Sequence, residues 1–123
     1  MYLGLDLGTS GLKALLVNGA EKIVAESVVP LQVSRPQDGW VEQNPSDWFS
    51  ACETAIAGLG VDLSQVQGIG LSGHMHGATL MNASGKPLRP CLLWNDTRAA
   101  VEAAELDVDP LWRKISGNIV FPG

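Results

Sequence analysis

The sequence predicts an α/β fold in which a mixed β-sheet is flanked by helices. Three features indicate this class: glycine-bounded apolar runs near the amino terminus, an apolar stripe at helical spacing near the middle, and another glycine-rich apolar run after it. The chain has 123 residues, 46% of them hydrophobic, which is enough for one domain core. Because chains of this size bury only about two-thirds of their unfolded surface, we expect marginal stability.

The first elements form an antiparallel meander of three strands. Two apolar strands lie on either side of the turn from Gly8 to Gly11, and a strand from Ile23 to Leu31 follows the next turn signal. A polar loop over residues 34–44 leads into a helix, because Asn44 is a good cap and Pro45 suits the first helical position. Four apolar residues predict the helix face that meets the sheet: Trp48, Cys52, Ile56 and Leu59.

The second half of the chain alternates strands and helices. Apolar runs between turn signals predict three strands: Gly68 to Gly73 as a buried parallel strand, Ala78 to Met81, and Leu88 to Trp94. Asp96 is a good cap for a helix that continues to Leu106, where the residues have high helix propensity. A further short helix is predicted from Asp109 to Ile115, and Gly117 ends it.

Composition excludes several classes of function. The chain carries 8 Lys and Arg against 13 Asp and Glu, and its basic residues are scattered, so we expect no nucleic-acid partner. No apolar stretch approaches the ~20 residues that span a bilayer, and Asp6 interrupts the region where a signal peptide would be apolar. We therefore expect a cytoplasmic protein without a membrane partner. Cys52 and Cys91 lack paired or metal-type spacing and are predicted to be buried free thiols.

The turn between the first two strands carries the residues of a phosphate-binding site. Glycines from Gly8 to Gly11 let backbone N–H groups converge on an anion, and Thr9 and Ser10 add hydroxyl donors. Lys13 lies just beyond the turn. Asp6 ends the preceding strand, where a buried carboxylate would need a cation, a metal ion or water.

A plain β-hairpin explains the same segment, with Asp6 as a cap of its polar turn. Spacing alone leaves both interpretations open, since short glycine-rich motifs recur by chance. Dinucleotide and P-loop motifs do not fit, because neither glycine pattern is present and a strand-like run follows the turn where those motifs need a helix.

Two further segments carry candidate ligand-binding side chains. The sequence His74-Met75-His76 follows an apolar strand, at the edge where ligands bind in open α/β sheets. No further Cys, His or clustered carboxylate completes a metal site there, and a structural histidine is the general alternative. Trp94 offers a flat apolar face to a ligand, and Asp96 can form a charge-assisted hydrogen bond with Arg98. The alternative for this segment is a core tryptophan, a helix cap and a surface arginine.

The chain resembles a known family at these motifs. The segment from Asp6 to Lys13 is similar to the first phosphate motif of the sugar kinases, heat-shock chaperones and actin, and its form with Ser10-Gly11 and Lys13 resembles the FGGY carbohydrate kinases. The resemblance continues through five segments: Ser34–Pro36, Trp40–Pro45, Gly73–Gly77, Leu93–Arg98 and Ser116–Asn118. The Met-His-Gly and Trp-Asn-Asp-x-Arg segments resemble the xylulokinase branch.

The resemblance implies an actin-like ATPase, or ribonuclease H-like, fold. Residues 1–123 would be the N-terminal part of the first of two domains, binding sugar and phosphate. The rest of that domain, with an aspartate as catalytic base, and the second domain, which holds adenine, are expected outside this chain. The chain alone is therefore expected to be catalytically incomplete.

The resemblance also implies a reaction and a role for each residue. ATP with Mg²⁺ would phosphorylate D-xylulose to D-xylulose 5-phosphate in pentose catabolism. Asp6 would position Mg²⁺, through water, and the transferring phosphate. The phosphates would be held by Gly8, Thr9, Ser10, Gly11 and Lys13. The pentulose would be bound by Met75, His76, Trp94 and Asp96. His74 stands where such kinases usually carry Gln, and its role and that of Arg98 stay open.

Several alternatives remain at this point. Gluconate, ribulose or rhamnulose could replace xylulose, because two contact motifs do not define the stereochemistry at every carbon. Other classes are an ATP hydrolase similar to a chaperone nucleotide domain and a non-catalytic actin-like module. A homodimer of the full-length protein is left open.

Overall fold

The computed structural model describes residues 1–123 and confirms the predicted α/β class. Its strands are β1 (Tyr2–Leu7), β2 (Gly11–Val17), β3 (Ile23–Pro30), β4 (Glu42–Gln43), β5 (Gly68–Gly73) and β6 (Cys91–Leu92). Its helices are α1 (Pro45–Gly58), α2 (Ala100–Asp107) and α3 (Pro110–Ser116). The chain divides into two compact units: the first unit comprises residues 1–33 and 44–75, and the second unit comprises residues 34–43 and 76–123.

The first unit contains a four-stranded mixed sheet in the order β3-β2-β1-β5. The first three strands form the predicted antiparallel meander, and β5 lies parallel to β1. Leu3 on β1 pairs with Leu16 on one side and Ile69 on the other. This register places the ends of β1 and β5 at one edge, since parallel strands end together.

Helix α1 covers one face of this sheet and forms the core of the first unit. The buried residues of this core are Leu3, Leu12, Ala14, Leu16, Leu31, Ala51, Ala55 and Leu59. Asn44 Oδ1 accepts a hydrogen bond from Ser46 N at 3.1 Å, as the predicted cap. The predicted stripe does face the sheet, but Ala51 and Ala55 are buried more deeply than Trp48. Small side chains there let the helix approach the strands closely.

The edge of the sheet at β5 is open. Leu71 is 80% exposed and Ile69 is 63% exposed, so the prediction of a buried β5 is wrong although its parallel pairing is confirmed. β5 pairs with β1 alone, which leaves its outer edge without a neighbouring strand. Asp6 is also exposed, so its carboxylate is not the buried charge that its position in an apolar strand predicted.

The second unit has little regular sheet. β4 and β6 pair over two residues each, and β4 lies within the segment predicted as a loop. The predicted strands 78–81 and 88–94 are wrong as regular strands: they contribute the isolated bridges Ala78–Leu92 and Met81–Pro87 besides β6. The turn between them is confirmed, because Asn82 Oδ1 accepts hydrogen bonds from Ser84 N and Lys86 N.

The helices of the second unit agree with the sequence in number but not at every boundary. α2 begins at Ala100, and Ala99 at its cap makes no side-chain hydrogen bond, so the prediction of Asp96 as its cap is wrong. α3 is confirmed: Asp109 Oδ1 accepts a hydrogen bond from Leu111 N at 2.8 Å, and Gly117 ends the helix at φ 71°.

Both cysteines are free thiols; Cys91 is fully buried and Cys52 half-buried. None of the three helices combines the length and apolar character that crossing a bilayer requires.

Candidate functional site

The turn from Gly8 to Gly11, which the sequence predicts to bind phosphate and which we call the phosphate turn, joins β1 to β2 in the first unit. Gly8 N donates a hydrogen bond to Gly11 O at 2.9 Å, and Leu31 N donates to Ser10 O at 3.0 Å. A β-carbon on Gly11 would lie 2.8 Å from Val29 O, closer than real β-carbons approach an oxygen. The turn therefore needs glycine at position 11 because β3 approaches it closely, and not because of a left-handed backbone.

The pairing of β1 with its two neighbouring strands places Asp6 beside two polar residues. Its partner on β2 is Lys13, and its partner on β5 is Ser72. The three residues border an open groove of about 400 Å³ on the sheet face away from α1. Lys13 Nζ also pairs with Glu26 Oε2 at 2.9 Å, and both side chains are about half exposed. This face thus offers carboxylate, ammonium and hydroxyl groups to a ligand.

Sequence reasoning missed Ser72 and Glu26 as neighbours of this site. Their positions follow from the pairing of β5 with β1 and of β3 with β2. Within residues 1–123, no group of three or more His, Cys, Asp or Glu side chains could hold a metal ion. Asp6 fits Mg²⁺ as a single carboxylate, since this ion usually keeps several water ligands and takes one or two protein carboxylates.

His74 directly follows β5 in the first unit and is a half-buried neighbour of α1. Its backbone N donates to Leu7 O at 2.8 Å, and its ring stands edge-on to Trp48 with centroids 5.3 Å apart. Both ring nitrogens are buried without a hydrogen-bond partner. Burial lowers the pKa of His74, because an apolar surrounding disfavours the charged imidazolium. Met75 follows it and is 70% exposed.

His76 belongs to the second unit and has an unusual backbone. Its φ is 66°, in the left-handed region that non-glycine residues rarely adopt. The side chain is exposed, and its ring lies beside Phe121 with centroids 6.1 Å apart and planes tilted by 53°. Strain of this kind concentrates at functional positions, where the surrounding structure holds it in place.

Trp94 is 55% exposed and follows fully buried Leu93. Leu93 N donates to Val41 O at 3.0 Å, and Asp96 N donates to Leu93 O at 2.9 Å, which forms a tight turn at this point. The indole of Trp94 thus stands on a fixed backbone with about half of its surface open. Because the family resemblance implies that His76 and Trp94 bind the sugar, we call this pair the sugar wall.

A buried ionic network supports this turn. The carboxylate of Asp96 is 0% exposed and accepts hydrogen bonds from Val41 N at 2.7 Å and from Arg98 N at 2.9 Å. The Arg98 guanidinium donates to both Asp96 oxygens, contacts Glu42 Oε1 at 2.7 Å, and lies 3.7 Å from the ring centroid of Trp40. We call these four side chains the Asp96 network: Trp40, Glu42, Asp96 and Arg98.

The Asp96 network holds the carboxylate in its charged form. Burial by itself disfavours ionisation of Asp96, but the hydrogen bonds from the Arg98 side chain and from the two backbone N–H groups outweigh it and lower the pKa to about 2. Sequence reasoning expected the pairing with Arg98, but it gave neither Trp40 nor Glu42 a role in this site. Both lie in the segment predicted as a loop, where no periodic pattern in the sequence indicates which side chains meet.

Comparison with known proteins identifies the family. The model of the FGGY family of carbohydrate kinases, N-terminal domain, matches residues 1–123. The chain is 48% identical to the xylulose kinase of Klebsiella pneumoniae and 45% identical to that of Escherichia coli K12, each over 126 aligned residues that cover 100% of this chain and 26% of the relative.

A solved structure agrees with these matches and confirms the fold. The crystal structure of a xyloylose kinase from Brucella ovis superimposes with a TM-score of 0.95 at 58% identity, over 98% of this chain and 26% of that one. The predicted actin-like fold is thus confirmed by an FGGY sugar kinase. The chain spans about a quarter of the length of the relatives it matches. It belongs to the FGGY family of carbohydrate kinases, and all of its residues match the N-terminal domain of that family.

Proposed function

We propose that the full-length protein transfers a phosphoryl group from ATP to D-xylulose and forms D-xylulose 5-phosphate. The observation that carries this proposal is the identity of 48% to a xylulose kinase over the whole chain. Residues 1–123 would supply the sugar- and phosphate-binding part of the first domain. The rest of the protein would supply the catalytic base and the adenine site.

The phosphate turn and Asp6 would bind the transferring end of ATP. The N–H groups of residues 9–11 and the hydroxyls of Thr9 and Ser10 are suitable donors to the β- and γ-phosphates. Gly8 would shape this site by closing the turn, since its N–H donates to Gly11 O. Lys13 would add positive charge, since its exposed pair with Glu26 contributes only about 0–1 kcal/mol and is easily exchanged for a phosphate. Asp6 would hold Mg²⁺ through water, and this ion would neutralise charge on the phosphates when bound.

The pentulose would bind at Met75, His76 and Trp94. The imidazole of His76 can donate and accept hydrogen bonds with vicinal hydroxyls, and the exposed face of Trp94 can pack against the C–H side of a sugar. Asp96 would contribute by fixing the turn that carries Trp94, because its carboxylate is enclosed by its donors.

Catalysis would consist of positioning and charge stabilisation. Phosphoryl transfer needs little covalent work from the protein, because the acceptor hydroxyl and the γ-phosphate must be aligned and the developing charge neutralised. The residues of this chain would bind and orient the two substrates, while an aspartate elsewhere in the protein would remove the hydroxyl proton.

A coupled assay for ADP release by the purified full-length protein tests the proposal. We expect turnover with ATP and D-xylulose, and a product that mass spectrometry identifies as a pentulose monophosphate. Gluconate, ribulose and rhamnulose serve as competing acceptors. A higher kcat/KM for one of these would replace the assigned sugar, and ATP hydrolysis independent of any sugar would indicate a hydrolase instead.

A further inference from the structure

The segment 120–123 of the second unit contacts both parts of the sugar wall. The ring of Phe121 lies 6.1 Å from that of His76. Two residues later, the backbone of Gly123 approaches the turn that carries Trp94. A β-carbon on Gly123 would lie 2.7, 2.8 and 2.9 Å from the carbonyl oxygens of Leu93, Trp94 and Asp96.

Gly123 occupies a place that no larger residue fits. All three oxygens belong to backbone carbonyls, which cannot rotate away as a side chain could. Their turn is held on its other side by the bond from Leu93 N to Val41 O and by the Asp96 network. Gly123 therefore meets a rigid surface, and its lack of a side chain permits the close approach.

The segment is also anchored before Phe121. Val120 N donates a hydrogen bond of 3.0 Å to Asp107 Oδ1 at the end of α2, and the same carboxylate pairs with Arg113 of α3. The backbone is thus anchored before Phe121 by Asp107, and after Phe121 it lies close against the turn at residues 93–96. A side chain between two fixed points is restricted in where it can move.

The side chain that Phe121 restricts is that of His76. Its backbone is left-handed, and its ring is exposed. An exposed side chain has several rotamers of similar energy, which costs entropy when a ligand selects one of them. The ring of Phe121 excludes part of that space.

We propose that Phe121 and Gly123 are positioning residues of the sugar site, which hold His76 and the Trp94 turn in one geometry before the sugar binds. This rests on the proposed function of His76 and Trp94. Neither residue needs to touch the sugar: Phe121 restricts the imidazole of His76, and Gly123 fixes the backbone that carries the indole of Trp94.

Steady-state kinetics of the full-length protein test the proposal. We expect Phe121→Ala to raise KM for D-xylulose about tenfold, while KM for ATP changes less than about twofold. Phe121→Tyr should restore the sugar KM, because it keeps the ring. Gly123→Ala should raise the sugar KM at least as much. The matched controls are Phe49→Ala and Gly19→Ala, at an exposed phenylalanine and at a glycine with open space around its Cα.

Four outcomes separate this inference from the proposed function. The inference is supported if Phe121→Ala raises KM for D-xylulose but not for ATP, leaves the melting temperature unchanged, and Phe121→Tyr has the wild-type sugar KM. An unchanged sugar KM in Phe121→Ala overturns it while xylulose phosphorylation stands. A parallel fall in both substrate affinities and in melting temperature assigns Phe121 a general structural role and also overturns it. If the wild-type protein phosphorylates no sugar, the proposed function and this inference fall together.

Discussion

The first and second units hold their candidate site residues by different means. In the first unit, strand register places Asp6 between Lys13 and Ser72. In the second unit, side chains and close backbone contacts fix the sugar wall, and the bond from Val41 N to Asp96 Oδ2 joins residues 55 positions apart. A sheet orders its side chains by a regular repeat, whereas a loop site depends on individual long-range contacts. Mutations should therefore act on catalysis in the first unit and on geometry and stability in the second.

The largest effect is expected for Asp6→Asn in the full-length protein. If Asp6 positions Mg²⁺ and developing charge, kcat should fall by roughly two orders of magnitude or more, while sugar affinity stays within about twofold. Stopped assays at saturating substrates measure kcat, and calorimetry measures xylulose binding. Glu53→Gln on α1 is the control and should change kcat less than about twofold, since this exposed carboxylate lies outside the site. An unchanged kcat in Asp6→Asn would leave Asp6 as a cap of the turn.

The next effect concerns stability, and it distinguishes Asp96 from Asp6. Asp96→Ala leaves the Arg98 guanidinium and Val41 N without their buried acceptor, which should lower the free energy of unfolding by about 2–3 kcal/mol. Urea unfolding followed by tryptophan fluorescence measures this. Asp109→Ala, at an exposed helix cap, should cost about 1 kcal/mol. Equal losses in the two variants would show that the Asp96 network adds nothing beyond an ordinary cap.

The same carboxylate gives a stability that depends on pH. The pKa of Asp96 is lowered to about 2 in the folded state, against 3.8 ordinarily, so the unfolded chain binds its proton first as pH falls. Its contribution of roughly 2 kcal/mol is present above pH 3.8 and is lost progressively as pH falls towards 2. Asp96→Asn should remove that part of the acid transition in a urea titration between pH 5 and pH 2. If the free energy of unfolding of Asp96→Asn falls with pH as steeply as that of the wild type, other groups cause the acid sensitivity.

The contrast between the units also explains what the sequence could predict. Glycine-bounded apolar runs defined β1, β2, β3 and β5, and the Asn44 cap with Pro45 defined the start of α1. The exposure of β5 was missed, because an apolar run does not reveal whether anything covers it. In the second unit, Asp96 has the sequence signature of a helix cap, yet its carboxylate is used by Val41 and Arg98. Short-range patterns carry no information on that choice.

A moderate effect is expected at the sugar wall. His76→Ala should weaken xylulose binding by about 1–3 kcal/mol, since hydrogen-bonding groups of the sugar lose their partner, while ATP affinity barely changes. Trp94→Ala should act through lost contact with the C–H face of the sugar. Calorimetry without nucleotide measures both, and Trp112→Ala, on α3, is the control for loss of a half-exposed indole. Constant sugar affinity in both variants would refute the assigned wall.

His76 offers a sharper version of that experiment. His76→Gly should relieve the left-handed backbone and keep or raise the free energy of unfolding, while it weakens sugar binding as much as His76→Ala does. A gain in the free energy of unfolding together with a loss of sugar affinity would show that the strained backbone at His76 is kept for function. A loss of both would mean that the imidazole stabilises the loop and that its backbone carries no strain worth relieving.

The smallest effect is expected for His74, on the pH dependence of stability. It tests whether burial, and not strand pairing, determines the state of one side chain in the first unit. Burial lowers the pKa of His74, and its ring nitrogens have no partner, so the unfolded chain binds this proton more readily than the folded one. Stability should therefore be steady above the ordinary pKa of 6.5 and should fall as pH drops below it, towards the lowered folded value. His74→Phe keeps a ring beside Trp48 and removes the titration, so its free energy of unfolding should vary less with pH between 7.5 and 5 than that of the wild type. Urea unfolding at several pH values measures the difference. Identical slopes would mean that His74 is charged in the folded state or that water reaches its ring, and the buried neutral histidine assigned to the end of β5 would be wrong.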